Sequence, residues 1–475
     1  MATSLIRGSR ISLTELRAQF QGRVLGPDDP DYDVTRVVAA PVDSRPALIL
    51  RPEVDADVVR AIALARETGL ALAVRSGGHS GPGHGTCEGG IVIDLRDMKA
   101  VDFDVDGRTA WAEAGLTAGE FTSAAAAHGL AVGFGDTGTV GLGGLTLGGG
   151  VGYLARKHGL TIDNLIAADV VTADGEALRV DEESDPDLFW AIRGGGGNLG
   201  VATRFQFRLH PVDQVVGGML VLPATAQTVA GFIAAAEAAP DELTTIANVM
   251  NCPPLPFVAD EHHGSLVIMA VMCWAGDVED GLAAMAPFEG LAVPLANMLR
   301  RMPYPELYPP EDPGYRPTAV ARTMFLRTVD LDTAATVIDR LAASDASLRA
   351  VQIRVLGGAV ARVAADATAY AHRASQIMVN VAAFYDGAED RVVRDAWVQD
   401  LVRALDQGDP AAYVNFLGAE GTDRIRAAYP GTTWDRLAGV KATYDPENLF
   451  RLNQNVPPAD RADDGRVPSA RTQSR

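Results

Sequence analysis

Cysteine is scarce in this chain, with three among 475 residues. Cys87, Cys252 and Cys273 lack both the density of a disulfide framework and the spacing of metal ligands, so we expect them to be small apolar fillers. The adjacent pair His262 and His263 has no further ligand to complete a site. The sequence therefore predicts no metal centre.

Long hydrophobic runs and excess positive charge are also missing. No segment approaches the roughly 18 consecutive apolar residues of a membrane span. The first ten residues lack the apolar stretch and cleavage site of a secretory signal, so we expect a cytoplasmic protein. Lys and Arg number 41 against 61 Asp and Glu, for a net charge of −20, which argues against nucleic acid as a partner. We expect neither a nucleic-acid nor a membrane partner, and the sequence leaves a homodimer open.

Glycine, by contrast, is abundant, with 49 residues, and one glycine-rich segment carries a histidine. Residues 75–80 read Arg-Ser-Gly-Gly-His-Ser and follow an apolar strand predicted over residues 70–74. Glycines let a backbone approach a ligand closely and expose its N–H groups. His79 could be a ligand, a base or a covalent tether for a cofactor. The alternative is a loop histidine that only hydrogen-bonds its neighbours.

A second glycine-dense segment spans residues 133–153. Such density costs backbone entropy, and close approach to an extended ligand is the usual reason for it. We expect a helix to begin near Gly150 and to direct its N-terminal amides towards that ligand. The spacing does not fit the dinucleotide fingerprint of a Rossmann fold. The competing interpretation is a glycine-rich bend between packed strands.

Two further segments complete a pattern. Residues 413–416 read Tyr-Val-Asn-Phe, and residues 444–450 read Tyr-Asp-Pro-Glu-Asn-Leu-Phe. Together with Arg-Ser-Gly-Gly-His-Ser and a glycine run ending in Gly-Gly-Gly-Val-Gly, in this order, they resemble the FAD-linked oxidases of the vanillyl-alcohol oxidase superfamily, in the berberine-bridge-enzyme-like branch. The resemblance implies an α+β fold, in which a two-subdomain PCMH-type FAD-binding module is joined to a substrate domain with an antiparallel sheet covered by helices.

The composition along the chain changes in step with that architecture. We expect residues 1–212 to form the FAD-binding domain, with its PCMH-type core at about 41–212, and residues 213–408 to form the substrate domain. Residues 409–458 would return to the FAD domain, and 459–475 would be a disordered tail. A proline-rich stretch, 301–317, is predicted to be a loop.

The resemblance also assigns cofactor contacts, with His79 bonded covalently to the flavin. The implied FAD-binding residues are Arg75, Ser76, Gly77, Gly78, His79 and Ser80 in the first loop, Thr137, Thr139, Gly141, Gly144, Gly148, Gly149 and Gly152 in the glycine run, Asp163, Asn164, Gly200 and Val201 beyond it, and Asn453 and Asn455 near the C-terminal end. For Asn453 and Asn455 the alternative is a polar cap on a final turn.

Many relatives attach the flavin a second time, through a cysteine that precedes the glycine run. Thr137 stands at that place here, and a hydroxyl does not replace a thiolate as nucleophile at neutral pH. We therefore expect a single covalent bond and no cysteinyl bond. Doubly linked members tend to have open sites, so a smaller substrate is favoured.

Catalysis in the family points to Tyr413 and Asn415. In several relatives the tyrosine of Tyr-x-Asn removes a proton from the substrate, which assigns that function to Tyr413 unless it only lines the pocket. A base needs nearby charge to lower the phenol pKa from about 10. Asn415 would hydrogen-bond Tyr413 or the flavin. Some relatives have an aromatic residue where this chain has Val151, so a mechanism with a second tyrosine there is in doubt. His372 and Arg373 are expected either to face the pocket or to form a solvated turn.

The resemblance implies an FAD-dependent oxidase that dehydrogenates a small alcohol or an amine by hydride transfer to flavin N5 and reduces O2 to H2O2. Monocovalent relatives include amine oxidases of hydroxylated nicotine, so a cyclic amine competes with a sugar or another alcohol as substrate. Two alternatives remain. One is a flavin dehydrogenase with a different electron acceptor, and the other is a flavin- or ligand-binding protein without turnover.

Overall fold

The computed structural model describes residues 3–6, 9–308 and 318–460. They form an α+β fold with three larger sheets, which confirms the predicted class. The loop predicted over 301–317 is wrong in its first part, because Arg300–Pro303 forms a strand that pairs with Gln214–Pro223 and Tyr304–Leu307 forms a 3-10 turn. Residues 309–317 lie outside the described residues. The predicted tail lies outside them from residue 461 onwards.

The first sheet carries the histidine loop. Its four described strands run in the order Arg23–Leu25, Leu48–Arg51, Ile91–Asp94 and Leu72–Arg75, and the last three are parallel. The helix Asp55–Thr68 buries Val58, Ala61, Ile62 and Ala65, the spacing of one helical face, against this sheet. Residue 75 ends its strand at the sheet edge, so the following glycines leave the sheet and form the loop.

The second sheet supports the glycine-rich run. Its five described strands are antiparallel and run in the order Ala177–Val180, Leu165–Val171, Val201–Arg208, Thr109–Glu113 and Val101–Asp104. Its aromatic core includes Phe121, Phe134 and Phe207, which pack edge to face. The two short strand pairs are Thr3–Ile6 with Ser9–Ser12, and Leu130–Ala131 with His210–Pro211.

The third and largest sheet is antiparallel and has eight strands in the described chain. They run in the order Ala296–Asn297, Gln214–Pro223, Leu266–Trp274, Leu243–Asn251, Arg349–Val355, Ile377–Phe384 and Ala319–Leu326, with Arg300–Pro303 also paired to the second of these. One face is apolar and packs against three long helices, Ala226–Ala238, Leu331–Ala343 and Gly387–Leu405. The other face is directed towards the first two sheets.

The remaining described helices are shorter or lie at the edges of the fold: Leu13–Gln19, Tyr32–Thr35, Ala118–Ala126, Leu142–Gly148, Ala155–His158, Pro186–Ile192, Val278–Glu289, Gly358–Arg362, Thr422–Ala428 and Thr432–Tyr444. No helix in the described ranges combines the length and apolarity that a membrane crossing needs.

The helix predicted to begin near Gly150 is present but begins five residues later and is a single turn, Ala155–His158. A longer helix that was not predicted, Leu142–Gly148, lies inside the glycine run. Leu142, Leu145 and Leu147 are buried in the core, and that packing offsets the poor helix propensity of glycine. Gly149 and Gly150 then adopt φ values of +134° and +78°, which end the helix.

Candidate active site

A cavity of about 410 Å³ lies where the sheets meet. Segments far apart in the chain form its wall, namely the histidine loop, the glycine-rich run, the Tyr-Val-Asn-Phe segment and the C-terminal segment. The predicted site residues that line it are Arg75, Ser76, Gly77, Gly78, His79, Ser80, Thr137, Gly141, Gly144, Tyr413, Asn415 and Asn453. Four motifs chosen from the sequence thus share one cavity.

Buried polar contacts hold the histidine loop in place. Arg75 is buried and donates to Asp94 Oδ2 at 2.7 Å and to the Thr35 carbonyl at 2.7 Å. Ser76 Oγ donates to the Ala114 carbonyl at 2.6 Å. Gly77 and Gly141 lie so close that a Cβ on either would overlap the backbone of the other. The loop and the glycine run are therefore locked together, as glycine alone permits.

His79 projects from this loop into the cavity. Its Nε2 lies 3.1 Å from the hydroxyl of Thr139, so the two predicted cofactor residues contact each other, although Thr139 itself is not part of the cavity wall. A second histidine, His84, also lines the cavity, and burial lowers its pKa from the ordinary value. The sequence analysis passed over His84, although its place in the same glycine-rich loop was the available signal.

Tyr413 and Asn415 form a hydrogen-bonded pair in the cavity wall. The Tyr413 oxygen accepts from the Gly150 N–H at 2.9 Å and from Asn415 Nδ2 at 3.1 Å. Asn415 Nδ2 also donates to the Leu145 carbonyl at 3.1 Å, which fixes the orientation of the amide. Burial raises the pKa of Tyr413, and the Gly150 N–H, the Asn415 amide and the Arg354 charge act in the opposite direction.

Arg354 and Asp136 are cavity residues that the sequence analysis missed. Arg354 is buried and donates to Asp136 Oδ2 at 2.6 Å and to the Val151 carbonyl at 3.0 Å. It comes from the large sheet, whereas Asp136 precedes Thr137, so the pair joins the large sheet to the glycine-rich run. An isolated arginine in a strand carries no local signal, because its importance arises from the tertiary fold.

The C-terminal segment contributes to the cavity wall through Asn453, whose side chain bonds to main-chain carbonyls. Asn453 Nδ2 donates to the Gly197 carbonyl at 2.9 Å and to the Phe450 carbonyl at 3.0 Å. Asn453 Oδ1 is buried and has no hydrogen-bond partner among the described residues. Asn455 lies beyond the cavity wall, and its Oδ1 is likewise without a partner in the described ranges.

Asp163 and Asn164 lie outside this cavity. Asp163 forms a two-pronged ion pair with Arg373, both contacts being 2.8 Å. Asn164 Nδ2 donates to the carbonyls of His158 and Leu160. His372 and Arg373 were expected in the pocket or in a solvated turn, and both expectations are wrong. They are buried outside the cavity wall, at 8% and 2% exposure, because Asp163 pairs with the arginine and the Ala428 carbonyl with the histidine.

Five other residues predicted to bind the cofactor do not line the cavity. A Cβ on Gly148 would overlap the Asn415 amide, and a Cβ on Gly149 would lie 3.2 Å from the Tyr413 ring, so both glycines support the catalytic candidates. Gly152 packs against the Phe134 carbonyl. Gly200 packs against the Val171 carbonyl, and Val201 begins the following strand.

The cavity wall suits a flavin dinucleotide. Gly144 and Gly197 line the cavity, and a Cβ added to either would meet nothing within 4 Å, so their missing side chains leave open space for a ligand. Asn453 Oδ1 presents an acceptor that lacks a donor in the described chain. Leu72, Val74 and Leu452 supply apolar surface.

Cysteines and metal ligands take no part in the described wall. Cys87, Cys252 and Cys273 are free and buried, and none belongs to the cavity wall as the structure describes it. Burial raises the pKa of the Cys87 thiol to about 11. His262 and His263 lie at a half-exposed turn, and no cluster of three or more His, Cys, Asp or Glu side chains arranged for a metal ion occurs in the described residues.

Comparison with known proteins agrees with this geometry. The family model described as an FAD binding domain matches residues 46–181, and the model described as berberine and berberine like matches residues 412–457. An FAD-linked oxidoreductase of Dictyostelium discoideum is 31% identical over 429 residues, covering 88% of this chain and 90% of that protein.

Two further relatives share a named activity. The (R)-6-hydroxynicotine oxidase of Paenarthrobacter nicotinovorans is 29% identical, covering 92% of this chain and 97% of that protein. The crystal structure of 6-hydroxy-D-nicotine oxidase from Arthrobacter nicotinovorans superposes with a TM-score of 0.83 at 27% identity, covering 94% of this chain and all of that one. With its FAD-binding and berberine-like domains and its PCMH-type fold, the chain belongs to the berberine-bridge-like branch of the FAD-linked oxidoreductases and is an FAD-dependent enzyme.

Proposed function

We propose that the enzyme is an oxidase that dehydrogenates a small alcohol or amine and reduces O2 to H2O2. The observation that carries this proposal is the position of Tyr413, whose oxygen lies in the cavity wall and accepts two N–H hydrogen bonds. The oxidase names of two relatives support it. The chemistry supplied by bound FAD is two-electron oxidation, in which the substrate carbon loses a hydride and O2 gains two electrons and two protons.

Tyr413 is assigned the removal of the substrate O–H or N–H proton. Both of its partners are obligate donors, since Asn415 presents Nδ2 and Gly150 a backbone N–H. Two donors stabilise a phenolate more than a phenol, because the phenolate is the better acceptor. Asn415 therefore positions Tyr413 and supports its ionised form.

Arg354 contributes positive charge to the same place. It lines the cavity, and its charge lowers the pKa of Tyr413 against the effect of burial. Asp136, Gln352 and the Val151 carbonyl hold its guanidinium, so the charge remains at a fixed position. This is the nearby charge that the base function requires.

His79 is assigned the covalent bond to FAD, as the single link. Its ring lies in the cavity and its Nε2 contacts Thr139. Thr137 occupies the cavity wall where doubly linked relatives have a cysteine, and a threonine hydroxyl is a poor nucleophile at neutral pH.

The experiment is anaerobic mixing of the yellow holoenzyme with pooled alcohols and pooled amines, followed by air. Bleaching of the flavin absorbance by one pool and recovery in air, with H2O2 formed in proportion, is the expected result. Bleaching without recovery in air would identify a dehydrogenase with another acceptor. A flavin that no pool bleaches would contradict the oxidase and favour a binding protein without turnover.

A further inference from the structure

His84 lines the cofactor cavity but has no assigned function. The arginine, histidine and carboxylate side chains of the described wall are Arg75, His79, His84, Asp136 and Arg354. Four of these five belong to the sequence motifs or take part in the mechanism proposed above. His84 is the fifth, and its place in the wall brings it to the cofactor.

The fold of the histidine loop returns His84 to the glycines that begin the loop. Gly83 has a φ of +80°, in the left-handed region, and turns the chain back. A Cβ on Gly78 would lie 3.2 Å from Arg75 Cδ, and a Cβ on Gly85 would lie 3.5 Å from the same atom. Both ends of the loop therefore pack on one side chain, and His84 stands beside the first glycines.

Those glycines present backbone donors to the cavity. Within the described ranges, the N–H groups of Gly77, Gly78 and Ser80 donate to no acceptor. All three residues line the cavity. Successive backbone N–H groups of this kind form a concave site for an anion, phosphate above all. The diphosphate is the anionic part of FAD, so we expect it to lie against this part of the loop.

The two arginines of the wall cannot supply positive charge to that diphosphate. The side chain of Arg75 is 1% exposed, and its guanidinium bonds to Asp94 and to main-chain carbonyls. The side chain of Arg354 is 4% exposed and pairs with Asp136 at 2.6 Å. Both guanidinium groups are therefore enclosed by protein partners and out of reach of a phosphate oxygen.

The ring of His84, in contrast, is open to a ligand. It is half-buried, and its nitrogens have no hydrogen-bond partner in the described part of the chain. Neither nitrogen is fully buried, so a ligand atom in the cavity can reach the ring. Burial lowers the pKa of His84, and no charged neighbour raises it. The imidazole is therefore neutral at pH 7 until an anion binds beside it.

The elements packed around His84 contain other charged and titratable groups. They are His79, Cys87 and Glu88 on its own loop, Arg75 on the strand before the loop, Asp94 and Arg96 at the end of the next strand, and Arg36 and Asp43 beside Val42, which contacts Gly83. The three arginines are paired with carboxylates. Burial raises the pKa of Cys87 to about 11, so its thiol stays neutral. A change of charge near pH 7 therefore falls on the two histidines, which the variants below separate.

We propose that His84 binds the diphosphate of FAD as an imidazolium and takes up the required proton from water when FAD binds. The proton adds to a free ring nitrogen, and a charge-assisted N–H bond to a phosphate oxygen forms. The inference uses the FAD dependence of the enzyme and is independent of the oxidase function. FAD should therefore bind more tightly in mild acid than in mild alkali.

The first test is phosphorus NMR of the wild-type holoenzyme from pH 5 to pH 9. The FAD diphosphate has no pKa of its own in this range, so a pH-dependent shift reports a neighbouring group. A resonance of bound FAD should titrate with a midpoint above 6.5, the ordinary histidine value. His84→Gln should abolish this titration, and the control His262→Gln, at the half-exposed turn, should retain it.

Three results of this experiment would overturn the proposal. They are resonances that do not shift with pH, a titration that persists in His84→Gln, and a midpoint below 6.5. The second of these would assign the proton to His79 or to another group.

The second test measures FAD affinity in full-length His79→Ala, where no covalent bond to His79 can form and the binding equilibrium is accessible. Adding His84→Gln should raise Kd for FAD by roughly tenfold to a hundredfold at pH 6, the value of a charge-assisted hydrogen bond, and by less at pH 9. The melting temperature of the FAD-free protein should stay the same, since the ring has no hydrogen bond to lose. An unchanged Kd at pH 6 would overturn the proposal. An equal rise at both pH values with a lower melting temperature would also overturn it, in favour of a structural role.

Discussion

Lys441 Nζ lies 3.0 Å from Asp445 Oδ2 in an ion pair whose two side chains are fully buried. The same ammonium donates to the carbonyls of Asn198 and Phe450, at 2.8 Å each, and both of these residues line the cavity. Asp445 accepts the N–H groups of Leu449 and Phe450. The Tyr-Asp-Pro motif therefore joins two walls of the cofactor site without touching the cavity itself.

Lys441→Met should destabilise the protein by about 3–5 kcal/mol, because it leaves the Asp445 charge buried without its partner. The free energy of unfolding, measured in urea on the holoenzyme, should fall. The ratio of bound FAD to protein should fall as well. The control is Arg436→Met on the same helix, which breaks an exposed pair with Asp187 and should cost less than about 1 kcal/mol. Equal losses of unfolding free energy in the two variants would show that the buried Lys441–Asp445 pair contributes no more than an exposed one.

Tyr413→Phe should lower the rate of flavin reduction by roughly 10²–10⁴-fold, the usual contribution of a general base. The ring remains to pack against Tyr370 and Phe416, so FAD content should stay near the wild-type value. The melting temperature should fall moderately, because the buried Gly150 N–H loses its acceptor. Stopped-flow reduction under nitrogen provides the rate. A rate within a few-fold of wild type would assign Tyr413 to the pocket lining alone.

The reduction rate should rise with pH into the alkaline range, because the phenolate is the active form and burial raises the pKa of Tyr413. Asn415→Leu removes a donor that lowers this pKa, so the rising limb should move to higher pH. Tyr413→Phe should lack the limb altogether. A limb that keeps its position in Asn415→Leu would show that another group titrates.

Flavin attachment should depend on Thr139, whose hydroxyl lies 3.1 Å from His79 Nε2. Thr139→Val should leave a larger fraction of FAD extractable by acid precipitation, whereas Thr139→Ser keeps the hydroxyl and should behave as wild type. His79→Ala should release all of its FAD, and its gel band should lose flavin fluorescence. Flavin fluorescence retained in the His79→Ala gel band would show that FAD is bonded covalently to another residue.

Stability should fall in acid because of a stacked histidine pair. The rings of His158 and His210 lie 3.8 Å apart, and burial lowers their pKa values from 6.5 to about 3 and about 4. Below pH 6.5 the unfolded chain binds protons that the folded protein does not. The free energy of unfolding therefore decreases as the pH falls, until the pH reaches the pKa values of the two histidines in the folded protein. Urea titrations from pH 7 to pH 4 should show this slope.

The double variant His158→Gln with His210→Gln tests the source of that slope. It should flatten the pH dependence, whereas His262→Gln at the half-exposed turn should preserve it. A slope that survives the double variant would mean that other groups take up the protons.

Local sequence predicted the parts of the site that depend on local chemistry. The His79 loop and the Tyr413 segment were visible because close backbone approach requires glycine and a Tyr-x-Asn spacing brings two side chains together. The helix 142–148 was missed, because its stability comes from three leucines buried in the core and not from helix propensity.

Arg354 could not be predicted in the same way. Its position depends on strand register, which pairs Arg354 with Ile246 on one neighbouring strand and with Met378 on the other. Only the assembled fold brings Arg354 to Asp136, which is 218 residues away in the sequence.

The span of the cavity wall, from Leu72 to Gln454, bears on how the enzyme matures in the cell. A ribosome must synthesise the chain through Gln454 before the last wall exists, since Phe450 and Asn453 close the site. We therefore expect FAD to bind only after the chain has been synthesised through Gln454. A nascent chain arrested before Phe450 would contain the complete histidine loop but would lack the C-terminal part of the cavity wall.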